Sequence, residues 1–286
     1  MTKKNLIKIF GAILALFFSL PVFAQRSADF NSVVKERIKK FDKHLKIEKI
    51  CPVESDPVAK RVFAEYGAVY VSRPTVMFPP KCIFSDQNEV AAFQSKTSSA
   101  FYDFGGTSIE LQSAAMKDML EAISDAKKAG LNITPRGGSS AGKRSYQDTS
   151  RIWDSRFFPA LVYWQKRGKI SAADAEAAKK MTTQDQVVQV MEWEADKLWF
   201  NTTFSRTIFS SVAAPGTSQH LSMLAMDVSQ YADTRVRAIL NKHGWFQTIA
   251  NDTPHFTYLG YKEDELPERG LRPVQSGGFK FWVPNL

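Results

Sequence analysis

The run from Ala213 to Gln230, AAPGTSQHLSMLAMDVSQ, constrains the architecture of this chain more than any other segment. It is apolar enough to be interior, yet it carries His220 and Asp227, and the 286 residues hold only four histidines. An unpaired polar group in an interior costs roughly 1–3 kcal/mol, so such a segment needs partners from elsewhere in the chain. Pro215-Gly216 marks a turn just ahead of it.

The rest of the sequence reads as a mixed pattern. Residues 26–50 have the spacing of a basic amphipathic helix, and Ala68-Val69-Tyr70-Val71 reads as a strand broken off by Pro74 and Pro79-Pro80. Over 107–129, Thr107 and Glu110 read as a capping box, Ile109, Met116, Leu120 and Ile123 recur at helical spacing, and Gly130 supplies the stop. LNIT follows as a short strand, and then the glycine- and serine-rich loop PRGGSSAGKRSYQ, which lacks a P-loop ending. Residues 148–200 return to helix, 231–243 form another helix, and FTYLGY and FKFWV are strand candidates. The expected class is α+β, with a small antiparallel sheet packed with several helices.

The first residues read as a leader rather than as fold. MTKKNLIK is basic, IFGAILALFFSLPVFA is apolar but short for a membrane span, and Val22-Phe23-Ala24 fits a cleavage site. The expectation is an exported, periplasmic or envelope-associated protein with no stable span after cleavage. In an oxidising compartment the two cysteines, Cys51 and Cys82, fit one disulfide; a zinc pair is the alternative, without CxxC spacing or a nearby histidine to support it. Losing a leader with Lys3, Lys4, Lys8 and no acidic residue lowers the net charge from +9 to +6. The remaining basic residues are dispersed as on a solvated face, and no motif points to nucleic acid. Nothing in the sequence fixes an oligomeric state.

The chemistry-bearing residues gather late in the chain. His220 and Asp227 could come from one strand-turn segment and His255 from a second strand, in NDTPHFTYLGY. Two histidines and a carboxylate are a ligand set for catalytic zinc, which keeps a position open for water. Asp252, three residues before His255, is a carboxylate that could accept a proton from such a water. The alternative is a pair of hydrogen-bonded core histidines.

The local sequence narrows this choice. Ser218-Gln219-His220-Leu221-Ser222-Met223-Leu224-Ala225-Met226-Asp227 resembles the S-x-H-x-x-G-x-A-x-D motif of the zinc D-alanyl-D-alanine peptidases of the VanX/VanY type. Asp252-Thr253-Pro254-His255-Phe256 with Tyr258-Leu259-Gly260 resembles that family's E-x-W-H-F-x-Y-V-G segment, and Lys143-Arg144-Ser145-Tyr146-Gln147 resembles its G-Y-R-S-Y-x-x-Q loop. The three motifs stand in the family's order over about residues 107–262. The resemblance implies a zinc ion held by His220, Asp227 and His255, with Asp252 in place of the catalytic glutamate. It makes Arg144 the residue that grips substrate or stabilises the tetrahedral intermediate, with Arg136 a weaker candidate, and places Ser218 and Tyr146 at the substrate. It also implies a peptidoglycan peptide as partner and a zinc peptidase-like domain at 105–286, which follows the leader (1–24) and an N-terminal subdomain of unknown role (25–104) that lie outside the resemblance. A helical insertion over about 148–212, rich in Trp and Phe, reads as an extra packed layer.

Three positions depart from the family. Met223 stands where the family has a glycine, so a left-handed turn there would have to give way to another conformation. Pro254 replaces a tryptophan. Asp252 is one methylene shorter than glutamate, and a displacement of about 1 Å can cost ~100-fold in rate. The expected activity is a D,D-carboxypeptidase or related peptidoglycan peptidase; the competing reading is a module that holds cell-wall peptide without cutting it.

Overall fold

The computed structural model describes residues 27–286, so the expected leader at 1–24 lies outside the described residues. Helix α1 (Phe30–Phe41) starts on Asp29, whose carboxylate accepts from the Ser32 amide, and buries Phe30, Val34 and Ile38 along one stripe. It does not run on to residue 50. Asp42 turns back to accept from the His44 amide, an alternative to the helical ladder, and α2 (Ile47–Ile50) is a separate turn. Asp56 caps α3 (Pro57–Tyr66), which has a proline in its first turn.

The strand expected at 68–71 is instead a 3-10 turn, Gly67–Val71, continuing from α3 with every residue buried. A short apolar run is buried in either state, so its pattern could not distinguish the two. Cys51 and Cys82 form the expected disulfide, with Cα atoms 5.2 Å apart, and it ties α2 to the loop ahead of α4 (Gln87–Ser95). Its 31-residue separation corresponds to ~3–4 kcal/mol of restricted unfolded-chain entropy.

The helix expected over 107–129 begins later. Ser108–Gln112 is strand β2, paired antiparallel with β1 (Ser99–Asp103), and α5 (Ser113–Lys128) follows directly. Ile109 and Leu111 are buried at period two, and Glu110 pairs with Lys143 at 2.7 Å rather than capping a helix. The helix does end at Gly130, which has φ +69°. LNIT makes no strand. Pro135, which has no amide to donate, contributes one bridge to Val228, and the Thr134 amide goes to the Gln230 side chain.

The region 148–200 holds α6 (Tyr146–Lys166), α7 (Ala172–Lys180) and α8 (Thr183–Ala195). Trp153, Phe157, Phe200 and Trp193 stack in succession, and Trp199 lies beyond the last helix, its carbonyl accepting from Trp164.

The central sheet is antiparallel in the order β3 (Ala225–Asp227), β5 (His255–Tyr258), β4 (Trp245–Phe246), with α9 (Thr234–Lys242) between β3 and β4. A hairpin, β6 (Leu271–Ser276) and β7 (Phe279–Pro284), ends the chain. The architecture is therefore α+β with small antiparallel sheets. One buried apolar cluster takes residues from Phe30 to Trp282. The sheet is pinned to both ends of this core: the Tyr258 hydroxyl donates to Asp118 of α5, Arg73 pairs with the same carboxylate at 3.3 Å, and Ser72 Oγ donates to the Tyr258 carbonyl at 3.0 Å.

Candidate metal centre

Strand register brings two of the expected ligands together. Asp227 of β3 and His255 of β5 are directly paired, so their side chains emerge on the same face. His220 arrives from the 3-10 turn Gln219–Ser222, whose entry is fixed upstream by Gly216. Gly216 has φ +79°, and a Cβ there would lie 2.1 Å from the Phe84 carbonyl oxygen, so the Pro-Gly turn needs its glycine.

The ligand atoms converge. His220 Nε2 lies 3.1 Å from His255 Nδ1 and 3.4 Å from Asp227 Oδ1, and His255 Nδ1 lies 3.3 Å from the same oxygen. Four-coordinate ligands at zinc bond lengths lie about 3.3 Å apart.

The outer partners settle which ring nitrogens carry protons. His220 Nδ1 is 2.7 Å from the Gly142 carbonyl, which can only accept, so Nδ1 carries the hydrogen and Nε2 the lone pair. Gly142 must be glycine for this contact, since a Cβ would meet Ile109 at 2.7 Å. His255 Nε2 is 2.8 Å from Gln219 Oε1. The Gln219 amide is oriented in turn, because its Nε2 donates to the Tyr66 carbonyl at 2.9 Å and its Oε1 also accepts from Thr257. His255 therefore keeps its hydrogen on Nε2 and presents a lone pair at Nδ1. Burial, reinforced by Arg144, pushes His220 down to about 4, so its ring is neutral at physiological pH.

Three lone pairs thus face one another with no proton between them. The arrangement is repulsive unless a cation lies at its centre, and two imidazoles with one carboxylate suit zinc. Among the described residues, these three form the one group of ligand side chains placed to hold a metal ion. Burial opposes charge on Asp227, yet the Arg144 guanidinium paired with its outer oxygen helps hold its carboxyl well below the ordinary carboxylate range.

Arg144 joins the cluster through the other carboxylate oxygen: its Nη2 donates to Asp227 Oδ2 at 2.6 Å and its Nε to the Ser140 carbonyl at 2.8 Å. Asp252 sits in the turn before β5, where its carbonyl accepts from the His255 amide at 3.3 Å. Its carboxylate has no hydrogen-bond partner among the described residues. Burial and then the nearby Asp227 raise its pKa, against the pull of Arg144, to about 6. It retains partial access to solvent.

Other expected residues are placed elsewhere. Ser218 caps the turn, accepting from the His220 amide at 3.4 Å, and so orients the ligand segment. Tyr146 is not brought to the cluster: its ring packs with the Phe84, Val90, Phe93 and Leu221 group, and its phenol hydrogen-bonds Thr183. Arg136 lies over the Tyr231 ring at 5.4 Å, while its amide donates to the Asp227 carbonyl.

Met223 keeps the left-handed turn instead of escaping it, with φ 56°, ψ 28° and a fully buried side chain. Its carbonyl accepts from the Gln112 amide, and the Gln112 side chain donates to the Ser222 carbonyl. The turn thus keeps a glycine-like backbone held from outside. Met223→Gly relieves ~1–2 kcal/mol of strain but removes a buried side chain worth ~2–5 kcal/mol. The expected net loss is ~1–3 kcal/mol, read from the urea midpoint; an unchanged or raised midpoint would show the side chain to be idle.

Gln219 escaped the sequence reading, although its position beside His220 in an apolar run was the available signal, since a buried amide must be satisfied. Gln219→Leu should weaken divalent-metal binding about 10- to 100-fold in a chelator competition, and Gln219→Glu, which keeps an acceptor, should recover most of it. Equal affinity in the leucine variant would show that His255 needs no orienting partner.

No family model matches the chain, and no curated protein matches it. Among solved structures the chain is similar to a mutant of the vancomycin-resistance D,D-pentapeptidase VanY from a VanB-type resistance cassette, in complex with Zn(II). That likeness has 16% identity and a TM-score of 0.33, covering 58% of this chain and 82% of the other. It is similar at the same identity and TM-score to VanYB in complex with D-alanine-D-alanine, covering 58% and 80%. Overlaps this loose add nothing to the geometry above, which stands on the chain's own residues.

Proposed function

We propose that this protein is an exported zinc peptidase that hydrolyses peptidoglycan stem peptides, acting as a D-alanyl-D-alanine carboxypeptidase. The observation that carries the reading is the convergence of three proton-free ligand atoms, from His220, Asp227 and His255, beside an unpaired carboxylate and a guanidinium. The sequence resemblance over residues 143–147, 218–227 and 252–260 supports the substrate class.

Bound at this site, a zinc ion supplies Lewis-acid polarisation of the amide carbonyl and acidifies the attacking water. The chain's own groups do the rest. Asp252, ionised above about pH 6 and with a carboxylate that no hydrogen bond engages among the described residues, accepts the proton of the attacking water. It then returns that proton to the leaving amine nitrogen as the carbon–nitrogen bond breaks. Arg144 holds Asp227 through one nitrogen and offers its remaining donors to charge that develops on the carbonyl oxygen. Ser218 and Gln219 fix the directions of His220 and His255.

Purified protein should contain about one zinc per chain and release D-alanine from a muropeptide pentapeptide. Metal-free protein that still releases D-alanine, or zinc-loaded protein that releases none, would overturn the reading.

A second reading, a module that holds cell-wall peptide without cutting it, draws support from the engagement of Arg144 by Asp227 and Ser140. It predicts saturable muropeptide binding without turnover, unchanged by Asp252→Asn.

A further inference from the structure

A cavity away from the metal cluster carries arginine charge that no carboxylate among the described residues pairs with. It measures about 390 Å³, lies between α1 and the 3-10 turns ahead of β6, and is lined by Arg37, Lys40, Tyr261 and Arg269 together with apolar Val33 and Val76. That volume is in the range of small-ligand sites. Arg37 donates to the Arg73 carbonyl at 3.2 Å and lies over the Phe78 ring at 5.5 Å; Arg269 lies over the Tyr261 ring at 4.4 Å. These cation–ring contacts help hold both guanidinium groups in place before any ligand arrives.

Neither arginine pairs with a carboxylate among the described residues, and the Nε of each is buried without a hydrogen-bond partner. Glu36, the acidic residue of the lining, is taken by Lys40 at 3.3 Å. Burial lowers the pKa of Arg37, and the charge of Arg269 adds to the effect. Two fixed cations that disfavour each other in a half-buried cavity create a demand for an anion. A planar carboxylate is satisfied by one guanidinium fork, whereas donors arriving from two separate elements match a tetrahedral oxyanion.

The surroundings specify what the anion is attached to. Phe41, 63% exposed, stands at the rim. Its far side borders an apolar groove of about 350 Å³ that includes Leu45, Met77 and Phe78. An apolar chain leaving the arginines would pass Phe41 and enter that groove.

We propose that this cavity binds the phosphate of an amphiphilic ligand, with its alkyl portion laid past Phe41. The ligand's source is either a soluble alkyl phosphate or a phospholipid in a membrane, and the test separates them. In calorimetry on the full chain, monomeric dihexanoyl phosphatidylglycerol should bind saturably and at least tenfold more tightly than inorganic phosphate. Arg269→Gln should weaken it at least tenfold, and Arg37→Lys, which keeps the charge, much less. Phe41→Ser, at an exposed position, should weaken the lipid but not inorganic phosphate. Co-sedimentation with phosphatidylglycerol vesicles, but not phosphatidylcholine vesicles, assigns the membrane source; monomer binding without co-sedimentation assigns the soluble one. Absence of saturable binding, equal affinity for lipid and inorganic phosphate, or unchanged binding in a folded Arg269→Gln variant overturns the proposal.

Discussion

Asp252→Asn should leave zinc content unchanged and lower D-alanine release by about 100- to 10,000-fold, the usual contribution of a positioned general base. The substitution preserves shape and removes only the ability to take a proton. Asp252 is not among the three converging ligands and its carboxylate forms no hydrogen bond among the described residues, so neither metal nor fold depends on its charge. Its pKa, pushed up to about 6 by burial, sets the sign of the pH dependence. The working form is the carboxylate, so activity is full above that value and falls as the pH drops through it. A cation in the adjacent cluster favours the carboxylate and moves the midpoint lower. The acid limb should be absent in Asp252→Asn. Full turnover in that variant would remove Asp252 from the chemistry. Absence of turnover in both proteins, with binding retained, would favour the peptide-holding module.

His220→Ala should lose zinc and with it all turnover above background. Two remaining ligands cannot hold the ion in competition with buffer, and the converging lone pairs lose the reason for their arrangement. The same variant separates metal from fold. Zinc at a thousand times its Kd stabilises the native state by about 4 kcal/mol. The parent's melting temperature should therefore rise with added zinc and fall with chelator, whereas that of His220→Ala should respond to neither. Variant protein with stoichiometric zinc and normal activity would place the metal elsewhere.

The sequence made the candidate ligand set legible because His220 and His255 are two of only four histidines and, like Asp227, stand in apolar company, and any fold burying them had to satisfy them. Two strands were legible too: FTYLGY and FKFWV have strand composition, and they contribute to the central sheet and to the C-terminal hairpin respectively. Pattern failed where burial is complete on all sides. Ala68–Val71 is apolar throughout and carries no period to read, so only the absence of a partner strand determines its helical turn. At Ser108–Gln112 a capping-box spelling competed with a two-residue alternation, and pairing with Ser99–Asp103 decided it. Met223 shows a different limit. Its backbone angles are imposed by Gln112, more than a hundred residues earlier in the chain, and no local propensity encodes such a contact. Tyr146 was drawn toward the site by its place in a motif, but its phenol is held by Thr183, and the Arg136 side chain lies over Tyr231 while only its amide reaches Asp227.

The Tyr66 carbonyl, at the end of α3, steadies the Gln219 amide, and that amide steadies His255. Free energy carried along such a chain of contacts is reciprocal. Whatever loosens α3 must weaken the grip on the cation by some factor, and loading the cation must tighten α3 by the same factor. The helices ahead of residue 70 therefore report on metal occupancy: amide hydrogens in α3 should exchange more slowly in loaded protein, although α3 contributes no ligand.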